Sequence, residues 1–113
     1  MQRIALHARL KPGAEDAYGQ AHQSVPMELD AALRAAGVHS WRIWRDGLDL
    51  FHIVLVEDYQ KMRHELHDHP ANIPWAARMA ELLESTDDYT GVDHGMPLVW
   101  ELTCSGTGDG VQA

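Results

Sequence analysis

The stretch VHSWRIWRDGLDLFHIVLVE, residues 38–57, reads as two strands and the turn that joins them. Residues 38–45 put Trp41 and Ile43 on one side of an extended chain and Trp44 on the other, the period of two that marks a strand. Asp46-Gly47 is a hairpin signal. Residues 49–57 form the second strand, apolar enough to be covered on both faces.

Upstream, Gly37 closes a helix that begins near Pro26, whose missing N–H costs nothing in a first turn. Ser24 is the expected N-cap. Residues 14–22 predict a short helix after the turn Lys11-Pro12-Gly13. Residues 3–10, RIALHARL, place Ile4, Leu6, Ala8 and Leu10 on one strand face. Downstream, residues 58–67 predict a helix, HDHPANIP a loop, and residues 75–84 another helix with Trp75 in its first turn. A polar loop follows, then a last strand over 97–102, PLVWEL. The Gly-rich tail, residues 103–113, is expected to be disordered, leaving one domain over 1–102.

The order β-α-β-β-α-β, with each helical leg broken once, predicts an α+β fold. It is the ferredoxin-like βαββαβ motif: a four-stranded antiparallel sheet with helices on one face. The other face would leave Val, Trp and Phe side chains wet. A second copy is the common cover, giving a homodimer with two sheets face to face, a dimeric α/β barrel.

Composition narrows the function. A chain of 113 residues has room for one core. The net charge of −8 argues against nucleic acid, which needs a basic patch. No apolar run approaches the roughly 20 residues of a membrane span. The opening MQRIALHARL lacks the apolar block of a signal peptide, which points to the cytoplasm. Cys104, the one cysteine, can form no internal disulfide and reads as incidental. Four Trp and eight His are many for this length, and indole faces with imidazole nitrogens suit sugars and other small polar ligands.

Tyr18 and His22 lie four residues apart and share a helix face. They can bring a phenol and an acid–base imidazole to one pocket, or can be surface residues at a helix end. Glu28 lies in the next helix's first turn, where its charge suits the helix dipole. Trp75, at a helix start after a proline, can stack on a sugar ring or fill core, and the same choice holds for Trp41. His52 sits in the central apolar strand, opposite in parity to Phe51 and Ile53, so it either supports a pocket from behind or is a satisfied core histidine. His64, His67 and His69 match no zinc-ligand spacing and read as a solvated helix end. No Gly-rich phosphate loop or nucleophile elbow is present, so a cofactor-free enzyme or a binding module is expected.

The chain resembles the L-rhamnose mutarotase family. The likeness rests on Tyr18-x-x-x-His22 followed by Glu28-Leu29, on Gly37-x-His39-x-Trp41, on the strand ending Val56-Glu57, on Trp75 with Met79, and on the last strand ending at Glu101. It covers roughly residues 1–102. The resemblance implies a ferredoxin-like dimer that interconverts the α and β anomers of a 6-deoxyhexose such as L-rhamnose or L-fucose. It implies His22 as the acid–base group, Tyr18 as a sugar-contacting hydroxyl and possible second relay, and Trp41 and Trp75 as ring contacts. Glu28 either orients His22 or serves only the helix dipole, and His52 is the other candidate to support these residues from behind. Trp41 replaces a residue often Tyr in the family, and Ala76 stands where the family has a second Trp. The competing readings are a cofactor-independent oxygenase or cyclase-like enzyme of aromatic compounds, and a non-catalytic sugar-binding module.

Overall fold

The computed structural model describes residues 1–85 and 93–103. Cys104 and the rest of the tail beyond Thr103 lie outside that set. Along the chain run β1 (Gln2–Arg9), α1 (Glu15–His22), α2 (Met27–Ala35), β2 (Val38–Asp46), β3 (Asp49–Val56), α3 (Tyr59–Leu66) and α4 (Ile73–Leu82).

The hairpin forms as predicted, β2 antiparallel to β3 and closed by the pair Asp46↔Asp49. β3 is central, in the order β1-β3-β2. Asp58 caps α3 by accepting the Lys61 N–H at 3.2 Å. α2 ends at Gly37, whose φ of 97° is the left-handed conformation that suits glycine there. Its start differs from the expectation. Ser24 caps nothing, because its own N–H still bonds Ala21 O and finishes α1. Pro26 is the N-cap residue instead, and its carbonyl accepts from Leu29 and Asp30.

Register divides the sheet into two unlike faces. Leu50, His52, Val54 and Val56 of β3 point to the helices, opposite Ala8, Leu6, Ile4 and Gln2 of β1. Two apolar clusters form between this face and the helices. One joins Val54 and Val56 to Ala32, Ala36, Tyr59, Met62 and Leu66. The other joins Leu50 to Leu10, Ala14, Tyr18, Ala21 and Met79. His52 is the strand residue between them. The opposite face carries Phe51, 38% exposed, and Trp44, 55% exposed, so β3 is covered on one face only within the chain.

Among the described residues no fourth strand forms. Residues 97–102 form no ladder, and Leu98, Val99, Trp100 and Leu102 are exposed. The approach to this segment is nevertheless fixed beside β1. Met96 N–H donates to Ala5 O at 2.7 Å, and Gly95 sits so close that a Cβ there would lie 2.6 Å from the same oxygen. Among the described residues one backbone bond and the exposed Arg3–Glu101 ion pair, at 3.3 Å, link the segment to β1, where a paired strand would make several backbone bonds.

Candidate active site

α1 presents His22 from its last turn. The ring's Nδ1 lies 2.9 Å from the Tyr18 carbonyl oxygen. A carbonyl only accepts, so Nδ1 carries the hydrogen and Nε2 is the nitrogen left to take or give a proton. Two aromatic rings hold the imidazole. Tyr18 lies at 4.3 Å between centroids, tilted by 37°, and Trp75 meets it edge-on at 5.0 Å and 82°. Trp75 comes from the first turn of α4, and the other end of α4 is tied to β1. Lys11 N–H donates to Leu82 O, and Glu84 N–H to Arg9 O, each at 2.9 Å. Burial pushes the Tyr18 phenol up to about 12, so it is a neutral hydroxyl across the physiological range.

The sheet contributes a second pair. Trp41 Nε1–H donates to His52 Nδ1 at 3.0 Å, with the rings 6.1 Å apart and nearly perpendicular. Both residues face the helices, Trp41 opposite Val54 and His52 opposite Ile43. His52 is pushed down to about 4, first by burial, then by the positive charges of His22 and His7. It is a neutral imidazole at pH 7.

The structure thus gathers Tyr18, His22 and Trp75 on the helices and Trp41 and His52 on the sheet beneath. Glu28 is not among them. It is exposed in the first turn of α2, and the partner that orients His22 is the Tyr18 backbone. His69 is engaged locally, its Nδ1 accepting from Ala71 N–H at 3.0 Å. Among the described residues no three His, Cys, Asp or Glu side chains are grouped to hold a metal. The Trp41–His52 bond is the feature sequence reasoning missed. The signal was available, since residues on the same face of neighbouring strands and diagonal in register are within reach of long aromatic side chains.

A one-sided antiparallel sheet with helices packed on a single face is the architecture of the dimeric α/β-barrel class. The crystal structure of L-rhamnose mutarotase from Formosa agariphila superimposes with a TM-score of 0.73, covering 90% of this chain and 99% of its own at 23% identity. Tetracenomycin F2 cyclase from Streptomyces glaucescens, a type-II polyketide cyclase, gives 0.59 over 92% of this chain and 99% of its own at 18% identity. At those identities the likeness is one of fold. Sequence says more. The family model for L-rhamnose mutarotase matches residues 3–102. The L-rhamnose mutarotase of Sinorhizobium medicae is 32% identical over 90% of this chain and 99% of its own length. That of Verminephrobacter eiseniae is 30% identical over 89% and 96%. The chain belongs to the L-rhamnose mutarotase family, and it is an isomerase.

Proposed function

We propose that the protein interconverts the α and β anomers of a 6-deoxyhexose, with L-rhamnose the first substrate and L-fucose the second, by general acid–base catalysis at His22. The observation that carries this is the fixed tautomer of His22. With Nδ1 bound to the Tyr18 carbonyl, Nε2 is a single basic nitrogen held between Tyr18 and Trp75.

The chemistry follows from that nitrogen. Nε2 takes the proton of the anomeric hydroxyl as the C1–O1 double bond forms. The C1–O5 bond breaks, its electron pair stays on O5, and the imidazolium returns the proton there. O1 and O5 are both bonded to C1, so one imidazole reaches both. Rotation about C1–C2 turns the carbonyl face, and the reverse transfers close the ring as the other anomer. Such positioned proton transfer contributes typically about 10²–10⁴-fold. Tyr18, held neutral by burial, acts as a hydroxyl donor to a sugar oxygen. Trp41 and Trp75 shape the ring site. A homodimer and a cytoplasmic location belong to the same reading. The exposed Trp44 and Phe51 support the first, and the lack of any helix among the described residues long and apolar enough to cross a membrane accords with the second.

Saturation-transfer proton NMR of anomeric exchange tests the proposal. Wild type is expected to accelerate exchange of L-rhamnose, and His22→Ala to lose at least about 100-fold of that acceleration. Exchange unaffected by the wild-type protein on L-rhamnose, L-fucose and common aldoses would sink the reading in favour of an aromatic substrate.

A further inference from the structure

The helix-facing side of the sheet holds a second imidazole, His52, that the proton transfers at His22 do not use. An indole N–H can only donate, so the 3.0 Å bond from Trp41 requires an unprotonated Nδ1 on His52. The neutral ring must then carry its hydrogen on Nε2. The orientation is set by the sheet, because Trp41 is fixed in β2 and packs on the cluster around Val54. Across the strands His52 has only Leu6 and Ile43 beside it, which offer no side-chain acceptor. His52 is half-buried, at the strand position between Leu50 of one apolar cluster and Val54 of the other. An N–H with apolar neighbours is paired by water or by a ligand, and a sugar oxygen is the acceptor the mutarotase reading supplies.

We infer that His52 Nε2–H is a substrate-contacting hydrogen-bond donor, aimed by Trp41, that selects sugars offering a hydroxyl or ring oxygen at that point. The assignment rests on the mutarotase reading. It divides the work between the two imidazoles: His22 exposes a lone pair and exchanges protons, whereas His52 exposes a fixed N–H and exchanges none. A donor that binds ground state and transition state alike lowers KM without raising kcat.

Two substitutions separate the nitrogens. In His52→Asn the carboxamide oxygen can take the Trp41 N–H, but the side chain stops short of the Nε2 position. In His52→Gln the amide nitrogen can reach it. KM for L-rhamnose is expected to rise about 5–10-fold in His52→Asn, the worth of one neutral hydrogen bond, with kcat within about twofold. His52→Gln recovers most of that loss. Independently of turnover, ¹⁵N-resolved imidazole NMR of the wild type is expected to show His52 protonated on Nε2, and L-rhamnose to shift that resonance. Protonation on Nδ1, or a His52→Asn enzyme with unchanged KM beside an active wild type, would overturn the role of His52 and leave the mutarotase reading standing. A wild type that accelerates no sugar would remove both.

Discussion

His52 has one nitrogen committed to Trp41 and a ring half-buried beside Leu6 and Ile43. Protonating it means placing a charge where burial, His22 and His7 all oppose one, which is why it titrates near 4 in place of the usual 6.5. The unfolded chain has no such restraint. Between about pH 6.5 and 4 the unfolded state therefore binds more protons, and stability falls as pH is lowered through that window. Above it both states are neutral, and below it both are charged. At pH 5 the cost relative to pH 7 is about 2 kcal/mol, at roughly 1.4 kcal/mol per pKa unit. Urea melts of wild type and His52→Gln at pH 7 and pH 5 check this, because other titrating groups cancel in the difference. The wild type is expected to lose about 2 kcal/mol more than the variant, and equal losses would show that His52 charges freely in the folded state. The parity of His52 and Trp41 was legible from alternation alone, as were the shared face of Tyr18 and His22. The hydrogen bonds were not. Whether His22 leaned on Glu28 or on a backbone carbonyl depended on where α2 starts, and Ser24, an acceptable cap by type, was still engaged in finishing α1.

Among the elements, the hairpin of residues 38–57 was readable because both of its determinants are local: alternation within each strand and a glycine in the turn. The last segment was not readable in that way. PLVWEL has strand-like composition, but a strand exists only with a partner, and β1 offers it one backbone bond, at Ala5. What fixes its approach is a set of side-chain contacts from α3. Gln60 Nε2 donates to Asp93 O at 2.6 Å, and Asp93 Oδ1 in turn accepts from Gly95 N–H at 2.9 Å. Gly95 itself has φ of 72° and no room for a Cβ between Ala5 O and Ile4. Gly95→Ala must both strain the backbone, by roughly 1–2 kcal/mol, and push the segment from β1. Amide hydrogen exchange is the direct readout. The Met96 N–H is expected to exchange much faster in Gly95→Ala, while the amides that pair β2 with β3 stay protected. Unchanged protection at Met96 would mean that the contacts from α3 hold the segment without the glycine.

At the scale of the whole molecule, the sheet has one face under helices and one face in water. The wet face is not polar in the way a solvated sheet face should be. Phe51 and Trp44 are register partners on neighbouring strands, and both are more than a third exposed. His7 lies against Phe51 at 5.3 Å between ring centroids, tilted by 49°, while Asp49 binds both His7, at 2.8 Å, and Arg9, at 3.0 Å, along one margin. An apolar centre with a charged margin is the pattern of an interface that excludes water at its middle. A second copy supplies a like surface, so an isologous contact meets apolar with apolar. Leu98, Val99 and Trp100, exposed beyond the β1 edge, add apolar surface that a lone chain leaves wet. The helix-side residues do not depend on that contact, since Tyr18, His22, Trp41, His52 and Trp75 all lie on the other side of the sheet. Light scattering after gel filtration is therefore expected to give a dimer for wild type. Trp44→Glu combined with Phe51→Glu, which buries two like charges per chain at the contact, is expected to give a monomer, because unpaired charge in an interface core is far costlier than the same charge in water. The sugar-induced shift at His52 should survive in that monomer. A double variant that still runs as a dimer would place the contact on the exposed 98–102 segment and not on the sheet.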